Sequence, residues 1–292
     1  MFEIGTVIGQ YEILGHIGSG GMGSVYCARH TVLGSERALK VLASNYATND
    51  KVRFRFGQEA HVQARLDHPN IVKVHDFITD GDTIAIVMDH VHGPVLEEVL
   101  TGERARAWTV EEARAVMDPL IDALAYTHGR GVAHRDIKPG NVILEQSEDG
   151  AELGAPKLTD FGLAKILASQ KMTRTGARMG TMGYMPPEQF EGRKEVGPPA
   201  DVFALGMLYW RILVGRLPYN ADDMREVLSF YTGQMTIASP SEHVAGVPNA
   251  LGNSILHALA LQPSDRPQDA NAWKGLLTKA YETPDEDSGT QA

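Results

Sequence analysis

The chain carries His134-Arg135-Asp136-Ile137-Lys138-Pro139-Gly140-Asn141, and 19 positions after Asn141 it carries Asp160-Phe161-Gly162. Seven specified positions (His134, Arg135, Asp136, Asn141, Asp160, Phe161 and Gly162) match by chance with a probability on the order of 10⁻⁹ per register at average residue usage. That figure precedes any demand on order and spacing. Coincidence is excluded, and the two runs have to be explained together with what flanks them.

Towards the N-terminus, Gly18-Ser19-Gly20-Gly21-Met22-Gly23-Ser24-Val25 follows the pattern G-x-G-x-x-G-x-V. Glycines in such a turn let backbone amides approach phosphate oxygens. Alone, the run also fits a dinucleotide-binding loop or a purely structural turn. A dinucleotide loop requires a helix directly after the third glycine and an acidic residue ~20 positions on. Here Gly23 is followed by the strand-like Ser24-Val25-Tyr26-Cys27-Ala28, so the loop is expected to cap a β-hairpin. Further on, Lys40 sits between Ala38-Leu39 and Val41, a charge on an apolar surface that needs a partner. Glu59 is the candidate, and a Lys-Glu pair can hold the ammonium at the α- and β-phosphates of a nucleotide. Taken alone, the two residues read more simply as an exposed strand lysine and a solvated helix charge.

The wider pattern changes character once. Tyr11 to Ile17, Ser24 to Thr31, Glu36 to Leu42, Val72 to Thr79 and Thr83 to Asp89 read as strands, the last two joined by the turn Asp80-Gly81-Asp82. One helix interrupts them, from Asp50 to Leu66, with Asn49 as its cap. After Gly93 the chain becomes helical. Thr109-Val110-Glu111-Glu112 is a capping box ahead of an apolar stripe that runs to Gly129. A second long helix opens at Pro198-Pro199 and stops at Gly215; it is apolar on most sides and so belongs in a core. Helices near Asp222 to Tyr231, Ala250 to Leu261 and Asp269 to Tyr281 follow. Glu145 to Ala155 reads as a solvated acidic hairpin, and the tail from Thr283 as disordered.

Composition bounds the rest. With 292 residues and 43% hydrophobic content the chain can bury a substantial core. A net charge of −10 argues against a nucleic-acid partner, whose phosphates demand clustered Lys and Arg. The single cysteine, Cys27, excludes an intrachain disulfide, fits a reducing compartment, and reads most simply as a small buried strand residue. No apolar run reaches the ~18 to 20 residues of a membrane span, the longest being Phe203 to Trp210, and Met1-Phe2-Glu3-Ile4-Gly5 is not a signal peptide. The chain is expected to be cytoplasmic, either by itself or as the cytosolic part of a longer membrane-anchored parent.

Taken together, these motifs resemble a eukaryotic-type Ser/Thr protein kinase of the bacterial, Hanks-type kind, over about residues 10–282. The resemblance implies an α+β, bilobal protein kinase fold: a small β-rich N-lobe with one helix (residues 1–91), a larger mainly α C-lobe (92–282) and an acidic tail (283–292). ATP would bind in the cleft between the lobes. It implies transfer of the ATP γ-phosphate to protein Ser/Thr hydroxyls, with Mg²⁺ (Mn²⁺ as an alternative) as cofactor.

Carried over by residue, Asp136 would orient the hydroxyl and accept its proton, and Lys138 would neutralise charge on the moving group. Asn141 and Asp160 would hold the metal. Lys40 and Glu59 would serve the phosphates, with Gly18, Gly20 and Gly23 above them. Ile17, Val25, Ala38, Met88, Asp89, Val91 and Ile143 would surround the base. Thr181 would stand near Asp136 and Lys138, Glu188 would pair with Arg266, and Asp201 would brace the catalytic loop. Arg135, directly before Asp136, implies control by a phosphorylated activation segment, with Thr173 and Thr175 as acceptors and a transient homodimer for phosphorylation in trans.

The chain departs from the family pattern at two points. Pro186-Pro187-Glu188 replaces Ala-Pro-Glu, a modest change in a loop. Gln63 stands where the family places an apolar residue beside His134 and Phe161, and buried without a partner it would cost roughly 1 to 3 kcal/mol. On that basis the helix is expected to dock loosely and the unmodified protein to be weakly active. Two other functions compete: a nucleotide-binding scaffold without chemistry, and a kinase-like fold acting on a small metabolite. The first usually lacks the lysine, the catalytic Asp or the metal Asp, and all three are present; the second lacks a peptide-binding segment of the kind Gly180 to Glu188 resembles.

Overall fold

In the computed structural model, residues 1–20, 23–47, 49–102, 105–146, 154–161, 179–193 and 195–283 are described. They form two compact units, Met1–His92 with Phe161, and Gly93–Asp160 with the described residues from Met179 on.

The first unit is a six-stranded antiparallel sheet. Its strands are β1 (Val7–Ile8), β2 (Tyr11–Gly20), β3 (Gly23–His30), β4 (Glu36–Leu42), β5 (Val74–Asp80) and β6 (Thr83–Asp89), in the order β1-β2-β3-β4-β6-β5. Period-2 alternation sorts the side chains onto two faces. Leu39, Val41, Ala85 and Val87 join Ile13, Tyr26 and Ala28 on one face. Ala38, Leu42, Ile86 and Met88 lie on the other, against Phe56 and Ala60 of helix α2 (Asp50–Gln63). Asn49 caps α2 through Lys51 and Val52, as its sequence position predicts. A short helix α1 (Ser44–Ala47), which the sequence pattern does not signal, precedes it.

Gln63 behaves differently from the expectation. It is buried, but its Nε2 donates to the Val72 carbonyl at 2.8 Å. The amide therefore ties the end of α2 to the chain entering β5, and its burial gives α2 no reason to dock loosely.

The second unit is helical, with α3 (Leu96–Thr101), α4 (Val110–His128), α5 (Pro187–Phe190), α6 (Pro198–Val214), α7 (Met224–Tyr231), α8 (Pro240–His243), α9 (Asn249–Ala258) and α10 (Ala270–Glu282) among its described elements. A small hairpin, β7 (Val142–Glu145) with β8 (Ala155–Leu158), is also present; of the acidic link between its strands, residues 147–153 lie outside the described part. Thr109 and Glu112 form the expected capping box of α4. Helix α6 is buried nearly all round, from Ala200 to Trp210, and Gly215 ends it at φ 82°, a left-handed cap that glycine adopts without a Cβ penalty. Its core reaches α4, α9 and α10 through Leu120, Ile255, Trp273 and Leu277. Of the expected tail only Thr283, which closes α10, is described.

The glycine-rich hairpin joins β2 and β3, with Gly18 opposite Val25 and Gly20 opposite Gly23. A Cβ on Gly23 would stand 1.9 Å from the Val41 carbonyl oxygen, whereas at Gly18 and Gly20 it would meet nothing within 4 Å. Backbone packing therefore demands glycine at 23 and not at 18 or 20. Gly23→Ala is expected to cost about 1 to 3 kcal/mol and Gly18→Ala less than about 1 kcal/mol, measured as shifts in the urea denaturation midpoint.

Candidate active site

In the first unit, strand β4 turns Lys40 towards the face that carries α2. Its Nζ lies 2.9 Å from Glu59 Oε1, with the lysine side chain 15% and the glutamate 4% exposed. Neither residue is a solvated surface charge. Breaking so buried a pair from one side typically costs about 3 to 5 kcal/mol, because the remaining charge is stranded. Val25, Val91, Ala38 and Met88 share the apolar cluster beside it, whereas Ile17 is half exposed. Asp89 places its carboxylate 2.5 Å from His75 Nε2.

In the second unit the loop after α4 is organised by one carboxylate. Asp201, in the first turn of α6, accepts from the backbone N–H of His134 (2.7 Å) and of Arg135 (2.6 Å), and from His128 Nε2 (2.9 Å). The N–H groups of a helix's first turn favour a negative charge at that end. The His128 ring is fixed from its other side, where Nδ1 accepts from the Ala270 N–H at 3.1 Å. Arg135 adopts φ 67°, a left-handed conformation unusual for a non-glycine residue. It is held there by Asp201, by Gln189 Nε2 donating to its carbonyl (3.0 Å), and by its own Nε donating to Val196 O (2.9 Å).

His134 is fully buried and bridges two segments. Its Nδ1 accepts from the Asp136 N–H (3.2 Å), so Nε2 carries the proton and donates to Thr159 O (3.0 Å). Burial holds its pKa below the ordinary value against the pull of Asp201 and Asp136, which agrees with that neutral tautomer. Asp136 is held next: Asn141 Nδ2 donates to its carbonyl (2.7 Å) and to Oδ2 (2.6 Å), and Lys138 Nζ lies 3.3 Å from Oδ2.

Asn141 and Asp160 emerge from the same end of the β7–β8 hairpin. Val142 is paired with Leu158, the Thr159 N–H donates to Asn141 O at 3.0 Å, and Asp160 follows at φ 62°. With the Asn141 amide nitrogen committed to Asp136, planar geometry turns its Oδ1 away from Asp136. An amide oxygen and a carboxylate at one hairpin end are the hard donors a divalent cation such as Mg²⁺ takes, so the residues fit a metal of that kind.

A protein-family model described as "Protein kinase domain" matches residues 11–277. The chain belongs to the protein kinase domain family. It is 33% identical to the serine/threonine-protein kinase PrkC of Bacillus subtilis, over 94% of this chain and 41% of the relative. It is 36% identical to PkaA of Streptomyces coelicolor, over 93% and 50%. It thus spans about half the length of the curated relatives it matches. The crystal structure of the PknI kinase domain of Mycobacterium tuberculosis superposes with a TM-score of 0.75 at 25% identity, covering 97% of this chain and all of that one. Members of the family use ATP and a divalent metal ion.

Of the residues the sequence singles out, Asp136, Lys138, Asn141 and Asp160 fall within this one loop-and-hairpin arrangement, as does Ile143 on β7. Glu188 and Arg266 form a buried bidentate pair at 2.8 and 2.9 Å. Thr181 lies in the 3₁₀ segment Met179–Tyr184, its side chain outside the described part, and Thr173 and Thr175 lie outside the described residues altogether. Sequence reasoning missed His128 and Gln189. The only signal for His128 is its place as the last residue of α4, where it reads as a charge complementing the helix dipole.

Because the folded state keeps His134 neutral below its ordinary pKa, the unfolded chain takes up that proton first as pH falls. The contribution is complete above pH ~6.5 and is lost below it. Urea midpoints are expected to drop between pH 7.5 and 5.5, and to drop less in His134→Gln.

Proposed function

We propose that this chain transfers the γ-phosphoryl group of ATP to serine and threonine hydroxyls of proteins, with Mg²⁺ as the metal. The observation that carries the reading is Asp136, fixed by Asn141 and Lys138 on a left-handed loop that Asp201 holds, within a protein kinase domain.

Phosphoryl transfer asks a protein mainly for positioning and charge neutralisation. Asp136 orients the incoming hydroxyl and accepts its proton at the carboxylate. Lys138, already 3.3 Å from that carboxylate, offsets charge on the group in flight. Asn141 Oδ1 and the Asp160 carboxylate would hold the cation, which supplies neutralisation of the phosphate oxygens. Lys40, kept in place by Glu59, holds the α- and β-phosphates, and Gly18 and Gly20 leave room for their approach that packing does not require. The base is assigned to Ile17, Val25, Ala38, Met88, Asp89, Val91 and Ile143, and Thr181 to the neighbourhood of Asp136.

Tyr184, Met185, Pro186 and Gln189 line a small recess together with Asp136 and Lys138, so the segment that resembles a peptide-binding element lies beside the proposed catalytic residues. Arg135 spends its Nε on Val196, and among the described residues its η nitrogens remain to offer a phosphate on Thr173 or Thr175. Such control would operate through transient pairing of two copies. No helix among the described residues is long and apolar enough to cross a membrane; the compartment proposed is the cytoplasm.

Incubation with Mg-ATP and a generic basic protein is expected to label both proteins on Ser and Thr, with Thr173 or Thr175 among the sites found by mass spectrometry. Asp136→Asn and Lys40→Met should each lower incorporation by at least about 100-fold. Equal labelling by Asp136→Asn, or phosphotyrosine alone, would overturn the assignment.

A further inference from the structure

The first unit also gathers side chains that phosphoryl transfer leaves unused. Cys27 on β3, Glu36 at the start of β4 and His90 just beyond β6 come from three adjacent strands. Register brings them together, since Cys27 stands opposite Ala38, and Ala38 in turn opposite Met88. One ligand atom from each lies within 4.8 Å of the other two, and among the described residues no other three such side chains converge in this way. The sequence reading of Cys27 as a buried strand residue needs correcting here: its side chain is only partly covered.

The spacing is informative. Cys27 Sγ lies 3.6 Å from His90 Nδ1. Metal bonds of about 2.3 Å to sulfur and 2.0 to 2.1 Å to nitrogen, at a tetrahedral angle, separate the two ligand atoms by ~3.6 Å. His90 Nδ1 is 3.9 Å from Glu36 Oε2, about 0.5 Å beyond the ~3.4 Å of a tetrahedral N,O pair. Glu36 is 40% exposed and can close that gap by rotation. Its two oxygens are already divided, with Oε1 3.3 Å from Arg29 and Oε2 turned towards the histidine.

A thiol hydrogen bond accounts for the sulfur-nitrogen contact but not for a carboxylate facing the same nitrogen. With Glu36 so rotated, the three ligand atoms together have the spacing that one shared cation requires. The His92 ring packs beside that of His90, with centroids 4.2 Å apart.

We propose that Cys27, Glu36 and His90 form a binding site for a borderline-soft divalent cation of the Zn²⁺ class. Binding converts the Cys27 thiol to a metal-bound thiolate and releases its proton to solvent. The cation would staple β3, β4 and the chain after β6, fixing the segment that holds Asp89 and Val91. Nitrogen and sulfur ligands set this site apart from the oxygen donors of Asn141 and Asp160.

Cobalt(II) titration of the chelator-stripped protein without nucleotide tests the site separately from phosphoryl transfer. The chain has one cysteine, so a thiolate-to-cobalt charge-transfer band reports Cys27 alone. The expected result is one equivalent bound with that band, loss of the band in Cys27→Ser, and at least about a tenfold weaker Zn²⁺ affinity by competition dialysis in His90→Ala, both variants melting as the wild type does in chelator. Absence of stoichiometric uptake, uptake without the band, or unchanged affinity in His90→Ala would overturn the proposal.

Discussion

The loop that carries Asp136 depends on one buried carboxylate. Asp201 is 1% exposed and would be costly to bury charged, yet it accepts two backbone N–H groups and an imidazole N–H in the first turn of a helix. Those bonds do more than offset desolvation. They fix consecutive peptide units at His134 and Arg135, and so set the direction in which the next residue, Asp136, leaves the backbone. The His128 ring extends the same anchor to α10 through Ala270. One ionised group thereby couples α4, α6, α10 and the loop.

Arg266 anchors the same helix, with its guanidinium over the Phe203 ring and bonded to Pro199 O. Each of its five N–H donors has an acceptor: Nε reaches Ala260 O, and the η nitrogens reach Glu188, Pro199 O and Leu261 O. A guanidinium so placed carries no unmet donor, which is the condition under which a buried ion pair avoids a net penalty. The pair pins α5, and with it Gln189, whose amide supports the Arg135 carbonyl. Two buried charges thus meet at Arg135 from different elements, and each would be destabilising without its full set of partners.

Much of this was legible in the sequence because it lies in local patterns. β-type runs between turns marked the strands Glu36–Leu42 and Thr83–Asp89, and the caps Asn49 and Thr109 marked the helix starts, whereas Lys40 and Glu59, alone more simply read as solvated charges, were paired through the resemblance to the kinase family. Pairings fixed only by tertiary packing were beyond it. Gln63 shows the limit: its polarity and burial could be argued from position, but its partner, the Val72 carbonyl nine residues on, depends on how the chain turns into β5. His128 shows the same limit over 73 residues, the separation from Asp201. Short elements such as Ser44–Ala47 and Pro240–His243 have too few residues to show a period.

Arg135 and Asp160, the two non-glycine residues with positive φ among the described ones, flank the Asn141–Thr159 contact at the base of the small hairpin. A left-handed conformation costs such residues roughly 1 to 2 kcal/mol each. It persists only where surrounding bonds over-determine it, as Asp201, Gln189 and Val196 do for Arg135. Relaxing either residue would swing the side chains next to it, Asp136 in one case and the Asp160 carboxylate in the other. The strain is therefore coupled to aim: Asn141 and Lys138 hold the Asp136 carboxylate on the loop that Arg135 turns, and under the proposed function such preorganisation spares reorganisation at the moment of reaction.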